Sequence, residues 1–135
     1  MSKRRRGGRT SVGRTARHVG FEQLVERSVA AIPSPFREAL AEVAIVIDDE
    51  PTPEQRRDNG VADDEMLYGL YEGVPRTEYG ADWAAIPNRI TLFRLPLEED
   101  FPDPRDLSEE VRLTVIHELA HHLGIDDDRL DELGV

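Results

Sequence analysis

A small β-sheet packed with helices is the fold class that the sequence predicts, and three observations predict it. Apolar residues recur at helical intervals early in the chain, short β-branched or alternating segments follow, and a longer helical pattern ends in a glycine. Phe21 to Ala31 places Phe21, Leu24, Val25, Val29 and Ala30 on one helical face. Pro33 and Pro35 break that run, and Phe36 to Glu42 resumes it, so two short helices are expected. Val43 to Ile47 is continuous, apolar and largely β-branched, the pattern of a strand buried on both faces. Asp48 to Asp64, rich in acids and prolines, reads as an exposed loop. Met66 to Tyr71 and Arg89 to Leu95 are two further strands, the second alternating Ile90 and Leu92 against Thr91 and Phe93. Pro96 to Pro104 is rich in turn formers. After it, Asp106 or Ser108 can cap a helix with Glu109 and Glu110 in its first turn, where the helix dipole favours negative charge. That helix should run to about Leu123, because Gly124 accepts the positive φ common just past a helix end.

Composition narrows the function classes. A chain of 135 residues, 39% hydrophobic and 33% charged, fits one globular domain. No apolar run approaches the ~18 residues of a membrane span, and no apolar stretch follows the basic start as a secretory signal requires. With no cysteine there is neither a disulfide framework nor a thiolate metal site, and the cytoplasm is the expected compartment. The net charge of −11 is unevenly spread: residues 1–18 carry +7 and the rest −18. Residues 1–18 are therefore expected to form a disordered basic arm, and residues 19–135 the folded domain. An acidic body repels nucleic acid and anionic membranes, so contact with nucleic acid is expected only through the arm.

The chemistry concentrates in His117-Glu-Leu-Ala-His121, an HExxH pattern. At about 100° per residue, positions four apart on a helix lie about 40° apart around its axis, so both imidazoles can reach one metal. Glu118 projects to the neighbouring flank, where it can accept a proton from water in an open coordination position. Val111, Val115, Ile116, Leu119 and Ala120 fill an apolar arc, and the two histidines begin where that arc ends. Given the His and Glu content, an accidental match is expected in roughly 1% of such chains, so chance explains the motif poorly. Zn2+ is the expected metal. A third ligand is needed, and Asp126, Asp127, Asp128, Asp131 and Glu132 all follow the helix. Spacing favours Asp127, since residues 117–127 match the extended HExxHxxGxxH/D pattern, and carboxylate oxygen suits zinc. His122, about 100° from His121, is expected at the surface or helix end, and His18 has no partner in the sequence. Tyr71, Arg76 and Tyr79 are candidate oxyanion donors, although packing and surface charge are the commoner roles of such residues.

These residues resemble the zincins, the HExxH metallopeptidases, with the glycine and Asp127 spacing of the metzincin type. More specifically, the chain from about Phe21 to Gly134 resembles the small bacterial zincin-like metallopeptidase family. The similarity includes Gly69-Leu-Tyr-Glu-Gly-Val-Pro75, Arg89-Ile-Thr-Leu-Phe93, Val111 to His117 and Asp126 to Gly134. The resemblance implies an α+β fold in which a small mixed sheet lies over the active-site helix and the N-terminal helices. It also implies a metal held by His117, His121 and Asp127, with Glu118 as catalytic base. The only methionines, Met1 and Met66, precede the motif, so the methionine turn of larger metzincins is lacking. No C-terminal subdomain is expected after Val135, and with it no deep substrate groove.

The reading that follows is a zinc peptidase acting on small or unstructured peptides, with an exposed sheet edge able to accept an extended chain. A zinc-stabilised binding or regulatory module is the alternative. A metal-dependent ribonuclease is a third reading, opposed by the acidic body and by Glu118 beside His117.

Overall fold

The computed structural model describes residues 14–73 and 88–133, the side chains of residues 14–19, Asp127 and Leu133 excepted. Helix α1 (Arg14–Ala30) is followed by the short α2 (Phe36–Ala39), a 3-10 turn (Leu40–Glu42) and strand β1 (Ala44–Asp48). Then come α3 (Pro53–Asp58), β2 (Gly69–Glu72), β3 (Arg89–Phe93), α4 (Arg94–Asp100), α5 (Pro104–Leu123) and α6 (Asp127–Leu133). The fold is α+β, as expected. Helix α1 starts at Arg14, so its first turns draw on the basic N-terminal segment. Among the described residues no helix is long and apolar enough to cross a membrane.

Helix α5 is the element on which α1, α2, α4, β2 and β3 all pack. Its Val111, Val115, Ile116 and Leu119 join Phe21, Leu24 and Val25 of α1, Phe36 of α2, and Ile90 and Leu92 of β3 in one core cluster. Burying a side chain of this size contributes about 1.5–3 kcal/mol each. A polar contact reinforces the α1–α5 packing, with the hydroxyls of Ser28 and Ser108 2.8 Å apart.

Among the described residues the sheet has the strand order β1-β3-β2, with β1 parallel and β2 antiparallel to β3. The central position explains why Ile90, Thr91, Leu92 and Phe93 of β3 are all buried. Here the sequence expectation is corrected: β1, expected to be buried on both faces, is an edge strand whose Ile45 and Ile47 are only partly buried against the core. Residue type gave both segments strand character, but only pairing over long range decides which of them lies in the middle.

Two further expectations are corrected. The region Asp48 to Asp64 is not all loop, because Thr52 starts α3 with a capping box. Its hydroxyl accepts the Gln55 N–H at 3.0 Å, the Gln55 side chain accepts the Thr52 N–H at 2.9 Å, and Pro53 opens the helix. Likewise the stretch from Pro96 begins in helix α4. Pro96 lies in its first turn, where the missing N–H would have had no helical partner. Arg94, 3% exposed, anchors α4: its Nη2 donates to Asp49 Oδ1 at 3.0 Å and its Nη1 to Glu98 at 2.7 Å. Helix α5 also starts earlier than expected. Its cap is Asp103, whose side chain accepts the Arg105 N–H at 2.8 Å, and Pro104 occupies the first helical position.

Candidate metal centre

Strand β2 and helix α5 fit along their lengths. Two residues of strand advance about 6.7 Å and four residues of helix about 6 Å, so the two elements can stay in step over a short distance. Gly69 lies at Thr114, and two residues later the backbone N–H of Tyr71 donates to Glu118 Oε1 at 2.7 Å. The Tyr71 side chain then reaches the next member of the same stripe, with its hydroxyl 3.1 Å from His122 Nδ1. Thr114, Glu118 and His122, spaced four apart, therefore form the stripe of α5 that meets β2. This contact fixes how the helix is rotated beneath the sheet, and so which residues face outward beside it.

His117 and His121 form the adjacent stripe, and both are exposed. Glu118 sits between the two environments, its side chain 16% exposed against 56% for His121. His121 Nδ1 lies 3.5 Å from Glu118 Oε1. Neutral imidazoles four residues apart, with a third donor from elsewhere, are a donor set that zinc accepts. His117 and His121 fit two positions of such a donor set, and the side chain of the third candidate, Asp127, lies outside the described residues.

The route from the helix to the third candidate is well defined. Gly124 takes φ 74°, and the N–H groups of Gly124 and Ile125 bond to the carbonyls of His121 at 3.2 Å and Ala120 at 2.8 Å. This is the Schellman closure of a helix. Asp126 then caps α6 by accepting the Arg129 N–H at 2.9 Å, and Glu132 pairs with Arg129 Nη1 at 2.7 Å. Asp127 is the first residue of α6, and its side chain lies outside the described residues. Among the described residues no three of histidine, cysteine, aspartate and glutamate converge into a metal-holding group. Asp126, Asp128, Asp131 and Glu132 are among those described, so the structure does not bring them together with the two histidines.

Electrostatics near the pair centre on Glu110, one heptad before His117. Burial pushes its carboxyl above the usual carboxylate range, opposed by a hydrogen bond from Thr114 and by the charge of His117.

His122 departs most from the sequence expectation. Instead of lying at the surface it is fully buried, with Nδ1 at the Tyr71 hydroxyl and Nε2 2.6 Å from Glu42 Oε1. The Tyr71 hydroxyl in turn donates to Asn88 Oδ1 at 3.0 Å. The signal for burial was present: His122 follows Val115 by seven residues and Val111 by eleven, which puts it within about 20° of both around the helix. Of the candidate oxyanion donors, Tyr71 has its hydroxyl engaged in this network, and Arg76 and Tyr79 lie outside the described residues. The side chain of His18 is likewise outside them.

Residues 40–135 match the protein family described as zincin-like metallopeptidase. No curated protein matches the chain.

Proposed function

The chain belongs to the zincin-like metallopeptidases, and on that premise we propose that it is a zinc-dependent peptidase acting on small or unstructured peptides. His117, His121 and Asp127 would hold the ion, and Glu118 is the general base. The observation that carries this reading is the hydrogen bond from the Tyr71 N–H to Glu118 Oε1, made beside two exposed histidines on consecutive turns.

Zinc, when bound, supplies a Lewis acid that polarises the scissile carbonyl and makes water nucleophilic near neutral pH. The chain's own residues supply the rest. The Tyr71 amide holds one carboxylate oxygen of Glu118, so Oε2 is the oxygen that takes a proton from the attacking water and passes it to the leaving amine. Partial burial keeps the carboxylate's position restricted while the neighbouring histidines stay open to solvent. The substrate in this reading is an extended chain pairing with β2, an edge strand among the described residues, which brings a peptide bond past Glu118 without a deep pocket. Main-chain pairing of that kind favours short or unstructured peptides over folded proteins, whose backbones are already paired.

The test compares wild type with Glu118→Gln for zinc content by elemental analysis and for cleavage of an unbiased peptide library. Equal zinc in both, with cleavage only by wild type, is the expected result. Equal zinc with cleavage by neither would replace the peptidase with a zinc-stabilised binding module.

A further inference from the structure

The buried His122 lies outside the candidate ligand set and takes no part in the proton transfer assigned to Glu118, yet it is tied on both sides. One ring nitrogen faces Glu42, at the end of the turn before β1, and the other faces Tyr71 in β2. Tyr71 continues the chain to Asn88, the residue immediately before β3. Three segments that are distant in sequence are thus linked, directly or through Tyr71, to one side chain of α5. Within the described residues no buried side-chain nitrogen or oxygen is left without a partner. Leaving the buried ring of His122 short of a partner would cost free energy, which favours a single geometry for these contacts.

What the geometry fixes is the position of Tyr71 relative to α5. The Tyr71 side chain is held by His122, and its backbone N–H holds Glu118 one turn earlier on the same helix. The tilted stacking of the two rings, with centroids 5.7 Å apart, adds a second restraint on the same residue. Neither the hydroxyl contact nor the ring contact touches Glu118 directly. The influence passes through the strand backbone.

We propose that His122 is a positioning residue: by gripping the Tyr71 hydroxyl it sets the β2 backbone so that the Tyr71 N–H orients the Glu118 carboxylate. The proposal rests on the peptidase reading for its effect on turnover, but not for its effect on the Tyr71 amide. An ordinary packing role would be satisfied by any residue of similar volume. A positioning role depends on which hydrogen bond survives. His122→Asn puts an amide nitrogen near the place of Nδ1 and so keeps a partner for Tyr71, whereas His122→Gln reaches toward Glu42 instead. Tyr71→Phe removes the hydroxyl alone.

The experiment measures hydrogen exchange of the residue 71 amide by NMR in the full chain, and kcat and KM of the zinc-loaded chain on a peptide that wild type cleaves. In Tyr71→Phe and His122→Gln the amide should lose protection and kcat should fall about tenfold, with KM and zinc content unchanged. His122→Asn should retain more of both. Wild-type amide protection in folded Tyr71→Phe and His122→Gln would overturn the proposal, as would equal losses in the Asn and Gln variants. If wild type cleaves no peptide, the peptidase reading fails, and the amide exchange still decides whether His122 positions the strand.

Discussion

The Cγ2 methyl of Thr114 stands 2.5 Å from where a Cβ on Gly69 would lie, a closer approach than any real side chain tolerates. The absence of a side chain at position 69 is what lets β2 lie directly on α5. Gly69→Ala should therefore destabilise the fold by about 1–3 kcal/mol, the usual cost of overpacking. Thr114→Ser removes the opposing methyl and keeps the hydroxyl, so the double variant should recover most of the loss. Urea unfolding of the four proteins in this cycle gives the coupling directly. Additive effects of the two changes would mean that the contact is not the reason for the glycine.

Arg94 offers a contrast between breaking a buried ion pair and replacing it. The guanidinium is 3% exposed, between Asp49 and Glu98. Asp49→Ala leaves buried N–H groups short of an acceptor and should cost about 1–3 kcal/mol. Arg94→Met removes the charge along with its need for partners and should cost less. Thermal unfolding ranks the two, and a larger loss for the methionine variant would contradict this account.

Metal binding should appear as stability. Zinc at a hundred times its dissociation constant adds about 2.7 kcal/mol to a protein that binds it only when folded. Wild type should therefore melt higher with zinc than with a chelator. Asp127→Ala should lose most of that difference. Asp126→Ala should keep it while costing about 1 kcal/mol with or without zinc, since Asp126 serves as the cap of α6. The reverse pattern would move the third ligand from Asp127 to its neighbour.

Glu110 should give the fold a measurable pH dependence. Because burial raises its folded value, the native chain keeps a proton that the unfolded chain has already released. Its contribution is thus most favourable below the ordinary carboxylate range. That contribution is lost as pH rises through the range to the raised folded value, and stays constant above it. Glu110→Gln cannot ionise. Measured with chelator present, so that His117 carries no metal, the variant's stability relative to wild type should increase with pH over that window. A gap independent of pH would show that burial does not govern this group.

The sequence made the site helix legible because its signals are local. His117, Glu118 and His121 share one helix, Gly124 ends it, and the turn after it is closed by its own backbone. The Thr52 capping box and the Asp103-Pro104 pair were equally local, but they were hidden in stretches whose prolines and acids suggested loop. The order of the strands was not legible in the same way. Val43 to Ile47 and Arg89 to Phe93 have similar composition, and only pairing across the chain makes the second of them central. The partners of His122 were hidden for the same reason: Glu42, Tyr71 and Asn88 lie on three other segments.

The parallel pairing of β1 with β3 joins segments that are far apart along the chain, and β3 depends on α5, which follows it, to cover its apolar face. Such topology makes folding slow relative to helical bundles of this size. During translation the sheet therefore emerges from the ribosome before the helix that shelters it. A nascent chain lacking residues 104–123 exposes Ile90 and Leu92, and at that stage it is open to aggregation or capture by chaperones.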